Sequence, residues 1–213
     1  MASILPRLEK NKGTVSSKLG KALAKDVLAG ETEILAEAVE LLSHESKQVR
    51  AGAAKIIEQV AVSDPTLVIG YLPRLLPALE VAEPQTRWMA IHTLGLCAAL
   101  DAPTALKALP KAAVFIEADS GACLWGATIH YLGYVGATSP ANARMVFPLL
   151  ERALQIPGRA KDVLRSFLQL LDQADTPMRT AIAQHAEAHT ESETGVTRKA
   201  ARKLLKRIEK EAL

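Results

Sequence analysis

Aromatic side chains are scarce in this sequence, at 4% of 213 residues. Strands favour aromatic and β-branched residues, whereas alanine and leucine, abundant here, carry little cost in a helix; the composition points to helices. Cysteine is nearly absent as well. Cys97 and Cys123 are the two thiols, without a Cys-Cys metal spacing, which suits a reduced intracellular chain. No run of about 18 apolar residues occurs, so no membrane span is expected. The opening "MASILPRLEKNKG" lacks the apolar stretch of a secretory signal. Also missing are a glycine-rich phosphate loop, a G-x-S-x-G turn and a Cys/His nucleophile pair. These absences lead to the expectation of a soluble, cytoplasmic, monomeric chain that is no enzyme and holds no cofactor and no metal.

What is present is periodic. Pro65, Pro103, Pro140 and Pro177 recur 38, 37 and 37 residues apart. Asp64, Ser139 and Thr176 directly precede three of them, and Asp101 stands two before Pro103. Such side chains cap a helix start, where a proline loses nothing by lacking an N–H. A second series, Pro73, Pro110 and Pro148, falls about two turns into the same helices and predicts a bend in each. A third series aligns "QVRAGAAKIIEQV" (48–60) with "QTRWMAIHTLGLC" (85–97) and "VTRKAARKLLKRI" (196–208). "CLWGATIHYLGYV" (123–135) and "RAKDVLRSFLQLL" (159–171) lie between the last two. Each unit is thus a first helix, a short turn ("HESKQ", "VAEPQ", "EADSG", "IPG" or "TESETG") and a second helix. A fixed period near 37 residues with two helices per unit marks an α-solenoid.

The combination resembles the HEAT-repeat (armadillo-like) family: proline and leucines in the first helix, an acidic turn, then Arg, paired Ala and Leu-Gly in the second. Pro73, Arg87, Leu94 and Gly95 carry it in the second unit; Val49, Arg50, Ala53 and Ala54 carry it in the first. The resemblance implies an all-α, right-handed solenoid of about five helical hairpins. The expected plan is an N-terminal tail (1–15), a capping helix (16–30) and repeats at about 31–62, 63–100, 101–138, 139–174 and 175–213. It also implies that second helices line a concave groove, and that Arg50, Arg87 and Arg198 bridge acids and carbonyls of neighbouring units.

Trp88 and His92 are four apart and share a helix face directed away from the Ala90–Leu94–Cys97 stripe. His130 matches His92 at an offset of 38, and Lys55 and Lys203 occupy the same place in the first and last units. Lys55, Trp88, His92, Trp125, His130 and Lys203 are therefore the expected partner-binding stripe, with burial in the core as the alternative for both tryptophans. "HAEAH" places His185 and His189 on one helical face, but without the H-E-x-x-H order or a third ligand it reads as surface histidines.

The net charge of +3 conceals an asymmetry: +4 over residues 1–30, −6 over 31–196 and +5 over 197–213. Arg198, Lys199, Arg202, Lys203, Lys206 and Arg207 make the last helix strongly basic. Such a face serves as a solvated cap of the stack or attracts nucleic acid or an acidic partner.

The function expected from these features is a non-enzymatic scaffold or adaptor that holds an unidentified protein or peptide in the groove. The alternative is weak nucleic-acid binding through the basic termini, as in a relative of the alkylpurine DNA glycosylases. Those HEAT-like proteins carry groove tryptophans and an aspartate one turn along. Here His92 follows Trp88 at that distance, so the catalytic acid is missing and the acidic middle opposes a duplex. HEAT-like bilin lyases are a further relative, but no tetrapyrrole site is apparent.

Overall fold

The computed structural model describes residues 3–11, 17–117 and 120–211. Among them helices dominate and no strand occurs. Two helices lead: α1 (Leu5–Lys10) and α2 (Ser17–Leu28). The first hairpin is α3 (Thr32–Glu40) with α4 (Lys47–Ser63). In the second unit a short α5 (Leu72–Leu75) sits among 3-10 turns at Pro65–Leu67, Ile69–Tyr71 and Pro77–Leu79, followed by α6 (Pro84–Leu96). The third has α7 (Ala102–Leu106) and α8 (Leu109–Glu117) before α9 (Gly121–Gly136). The fourth pairs α10 (Pro140–Leu154) with α11 (Ala160–Leu170), and the fifth pairs α12 (Thr176–Glu187) with α13 (Gly195–Glu211).

Local chemistry explains the periodic starts. Asp64, Asp101, Ser139 and Asp175 each accept a hydrogen bond from the backbone N–H of Thr66, Thr104, Asn142 and Met178. The expected cap Thr176 is itself the first helical residue, and Asp175 before it does the capping. The second proline series acts more strongly than a bend. Pro73 and Pro110 stand in the first turns of α5 and α8, so the first helices of units two and three are divided into short pieces. Only Pro148 lies inside a continuous helix. A proline removes a donor and presses on the carbonyl four residues back, and restarting the helix at the proline avoids both penalties.

Helices α2, α4, α6, α9, α11 and α13 lie side by side in one row, and the first helices form the other, with one continuous apolar core between them. The row of second helices is the more closely packed. This tighter row, with α2 at its start, is the inner row of the stack. Glycine makes that approach possible. A Cβ added at Gly95 would stand 2.9 Å from the Tyr131 Cα, and one at Gly133 would stand 2.9 Å from the Ser166 Cβ. The "IH" and "LG" pairs of α6 and α9 are therefore the trace of two helices fitted to their neighbours.

The segment expected as an N-terminal tail contains α1, whose Ile4 and Leu8 are buried. Ile4 is held by Glu37, which accepts its backbone N–H at 3.0 Å. Residues 12–16, covering the end of that tail and the start of the expected capping helix, lie outside the described residues, as do 118 and 119 of the turn "EADSG". No helix of the described residues is long and apolar enough to cross a membrane.

Candidate functional site

The inner row carries a series of polar and ring contacts that spans four successive helices. Its hub is Glu58 on α4, 4% exposed. The Lys55 ammonium donates to Glu58 Oε2 at 2.8 Å, one turn back on the same helix. His92 on α6 reaches across, with Nδ1 3.1 Å from Glu58 Oε1. A carboxylate only accepts, so the His92 proton sits on Nδ1. Burial pushes the Glu58 pKa up, but hydrogen bonds from His92, Lys55 and Gln59 together outweigh it and hold the group at about 2. The His92 and His130 rings follow, 6.4 Å apart between centroids. His130 Nε2 on α9 then lies 3.9 Å from Asp162 Oδ1 on α11. That carboxylate is also paired with Lys161 at 3.3 Å and Arg165 at 3.7 Å. Its pKa is lowered, chiefly by the nearby His130 ring and then by Lys161.

Trp88 stands at the edge of this series. It is half-buried against the core, with the Lys55 Nζ 5.3 Å from its ring centroid. One turn beyond the two histidines, Leu96 and Tyr134 are likewise half-buried, while Val62 at the end of α4 is exposed. The middle of this row thus carries a half-buried indole, two imidazoles and aliphatic surface, with Glu58 and Asp162 already paired.

The predicted stripe is therefore brought together only in part. Trp88, His92 and His130 are neighbours with accessible edges. Lys55 is buried at 9% exposure, its charge committed to Glu58. Trp125, expected beside it, is only 3% exposed and belongs to the core. The Arg159 guanidinium covers its ring at 5.0 Å, and the indole Nε1 is buried without a hydrogen-bond partner among the described residues. Lys203 is exposed at the far end, separated from His130 by α11. Sequence reasoning missed Glu58, although its place three residues after Lys55, between Ile57 and Gln59 in a largely apolar stretch, was a usable signal.

The start-of-helix arginines bind the protein to itself. Arg50 Nε and Nη2 each donate to Glu83 at 2.7 Å, bridging α4 to the next unit, while Nη1 donates to the His44 and Glu45 carbonyls. Arg87 donates to the Ala82 carbonyl and lies over Phe115, and Arg198 donates to the Ser192 and Glu193 carbonyls. His185 pairs with Glu151 at 3.0 Å and stacks on Phe167, and His189 donates to the His185 carbonyl. No cluster of potential metal ligands occurs among the described residues. Burial pushes the Cys97 thiol up to about 12, which removes it as a nucleophile. On α13, Lys199, Arg202, Lys203, Lys206 and Arg207 are exposed; Arg202 lies 3.5 Å from Glu191, and Arg207 pairs with Asp172.

No protein-family model matches the chain, and no curated protein matches its sequence. Solved structures match its shape. An engineered protein superposes with a TM-score of 0.68 at 14% identity, over 99% of this chain and 98% of its own. Computationally designed armadillo repeat proteins for modular peptide recognition give a TM-score of 0.69 at 15% identity, over 89% of each chain. A designed armadillo repeat protein in complex with the peptide (KR)4 gives 0.67 at 14%, over 96% and 98%. With this likeness and its helical hairpins, the protein is an all-α solenoid of the armadillo/HEAT-like kind.

Proposed function

We propose that the protein is a non-catalytic interaction scaffold that holds an extended protein segment along the face formed by its second helices. The observation that carries this is the cluster of Trp88, His92 and His130 on adjacent inner helices. These side chains are positioned by contacts with Lys55, Glu58 and Asp162, yet each keeps an accessible edge. Fixed aromatic side chains supply contact area at little entropic cost, and such residues dominate the energetics of interfaces. The likeness to armadillo repeat proteins designed for modular peptide recognition supports a peptide-binding use of this fold.

The test is selection from a displayed peptide library, followed by titration of chosen peptides against the wild type, Trp88→Ala and His92→Ala. Binding that weakens by about tenfold or more in both variants supports the groove. Binding unchanged in both, or mapped by cross-linking to the first-helix row, overturns it.

A further inference from the structure

The two end helices of the inner row differ from those between them. On α2, Lys18, Lys21 and Lys25 are exposed and share one face by their spacing. On α13, Lys199, Lys203, Lys206 and Lys210 are exposed and recur at i, i+4, i+7 and i+11, again one face. None of these seven lysines has an ion pair among the described residues, whereas the carboxylates of the central helices, Glu58 and Asp162, are each already bridged by cations. The register between units carries the contrast. Lys206 occupies in α13 the place that Glu58 holds in α4, so the last helix has there a cation with no ion pair among the described residues where the interior has a neutralised acid. Among the described residues the row therefore runs from lysines without an ion pair, through an aromatic and aliphatic middle, to lysines without an ion pair.

From this we infer that, if the groove holds an extended segment as proposed above, the segment is acidic at both ends and apolar or aromatic in its middle. Like charges brought together in a groove are costly, and complementary ones set register and direction of approach. Length follows from the same geometry. Five helix-to-helix steps separate α2 from α13, and at about 9 Å each they span roughly 45 Å, the reach of about fourteen extended residues. A basic segment such as the (KR)4 bound by one structure of similar fold is the wrong sign for these ends. Nucleic acid would satisfy the lysines but not the middle, where the chain has net charge −6 over residues 31–196 and offers aliphatic surface.

The experiment uses the full chain and four probes. Three are synthetic peptides of about fourteen residues with one leucine- and phenylalanine-rich centre, flanked at both ends by glutamate, by lysine or by serine. The fourth is a single-stranded oligonucleotide of equal reach. A triple variant, Lys199→Glu with Lys203→Glu and Lys206→Glu, removes no ion pair present among the described residues, and circular dichroism establishes that it folds. The glutamate-flanked peptide is expected to bind wild type about tenfold or more tightly than the lysine-flanked one, with an affinity that falls as salt rises. The triple variant is expected to shrink or reverse that preference. A lysine-flanked peptide that binds as well as the acidic one, or an oligonucleotide that displaces it, overturns the inference. If the serine-flanked peptide binds, Trp88→Ala abolishes its binding and charge has no effect, the groove stands and the charge rule falls. If no peptide binds, both fall.

Discussion

Trp88 and Trp125 stand near the starts of the second helices of adjacent units, 37 residues apart, yet one is half-buried and the other is sealed in the core. The difference is one residue of spacing. Four residues separate Trp88 from His92, and five separate Trp125 from His130. At about 100° per residue, four residues return to within about 40° of the same face, while five leave an angle of about 140°. His130 keeps the half-exposed place that His92 holds, so Trp125 turns inward under Arg159. Periodic spacing alone does not preserve a surface; the phase of each residue within its helix decides.

The largest effect expected from this contrast is on stability. Trp125→Ala should cost about 3–5 kcal/mol, measured by denaturant unfolding, because a buried indole leaves a cavity. Trp88→Ala should cost roughly half as much or less, since part of its surface is already in water. Equal losses would mean that both rings are core and would remove Trp88 as a groove anchor.

Acid should divide the two carboxylates in a related way. Glu58 is held at about 2 against an ordinary value of 4.5, so its contribution is complete above about pH 4.5 and is lost as pH falls toward 2. That shift corresponds to on the order of 3 kcal/mol, which Glu58→Gln should remove at neutral pH while flattening the acid limb of the stability curve. Asp162→Asn should cost less, because that carboxylate is more exposed and water screens its partners. A Glu58→Gln protein with unchanged acid sensitivity would show that the Lys55–Glu58–His92 chain does not hold the inner row together.

Smaller again is the cost of crowding the row. Gly95→Ala pushes a methyl to 2.9 Å from the Tyr131 Cα and should destabilise by about 1–3 kcal/mol, whereas Gly126→Ala in α9 meets nothing within 4 Å and should be neutral or slightly stabilising. Thermal unfolding of the two variants decides it.

The solenoid was legible because its marks are backbone chemistry: capping side chains, prolines at helix starts and a recurring Leu-Gly all act locally and repeat. Asp175 rather than Thr176 as the fourth cap is a shift of one residue, of the kind that turn geometry settles. The division of the first helices at Pro73 and Pro110 was less legible, since a proline permits either a bend or a restart and tertiary packing selects between them. The site was legible where one helix face sufficed, as for Trp88 with His92. It failed where contacts cross helices. Nothing near Lys55 in the chain announces that Glu58 also receives His92 from 34 residues away, a bond that only the packing of α6 on α4 creates.

The smallest expected effect concerns light rather than energy. Trp88→Phe and Trp125→Phe each leave one indole. The protein retaining Trp88 should emit to the red of the one retaining Trp125 and should be quenched more steeply by acrylamide, because its ring edge meets solvent. The Arg159 guanidinium lies over the Trp125 ring, 5.0 Å from its centroid. Removing that cover with Arg159→Ala should therefore raise quenching of Trp125 while leaving Trp88, on another helix, unchanged. If Arg159→Ala leaves Trp125 quenching as it was, the guanidinium is not what seals the ring, and the one-residue change of phase accounts for its burial by itself.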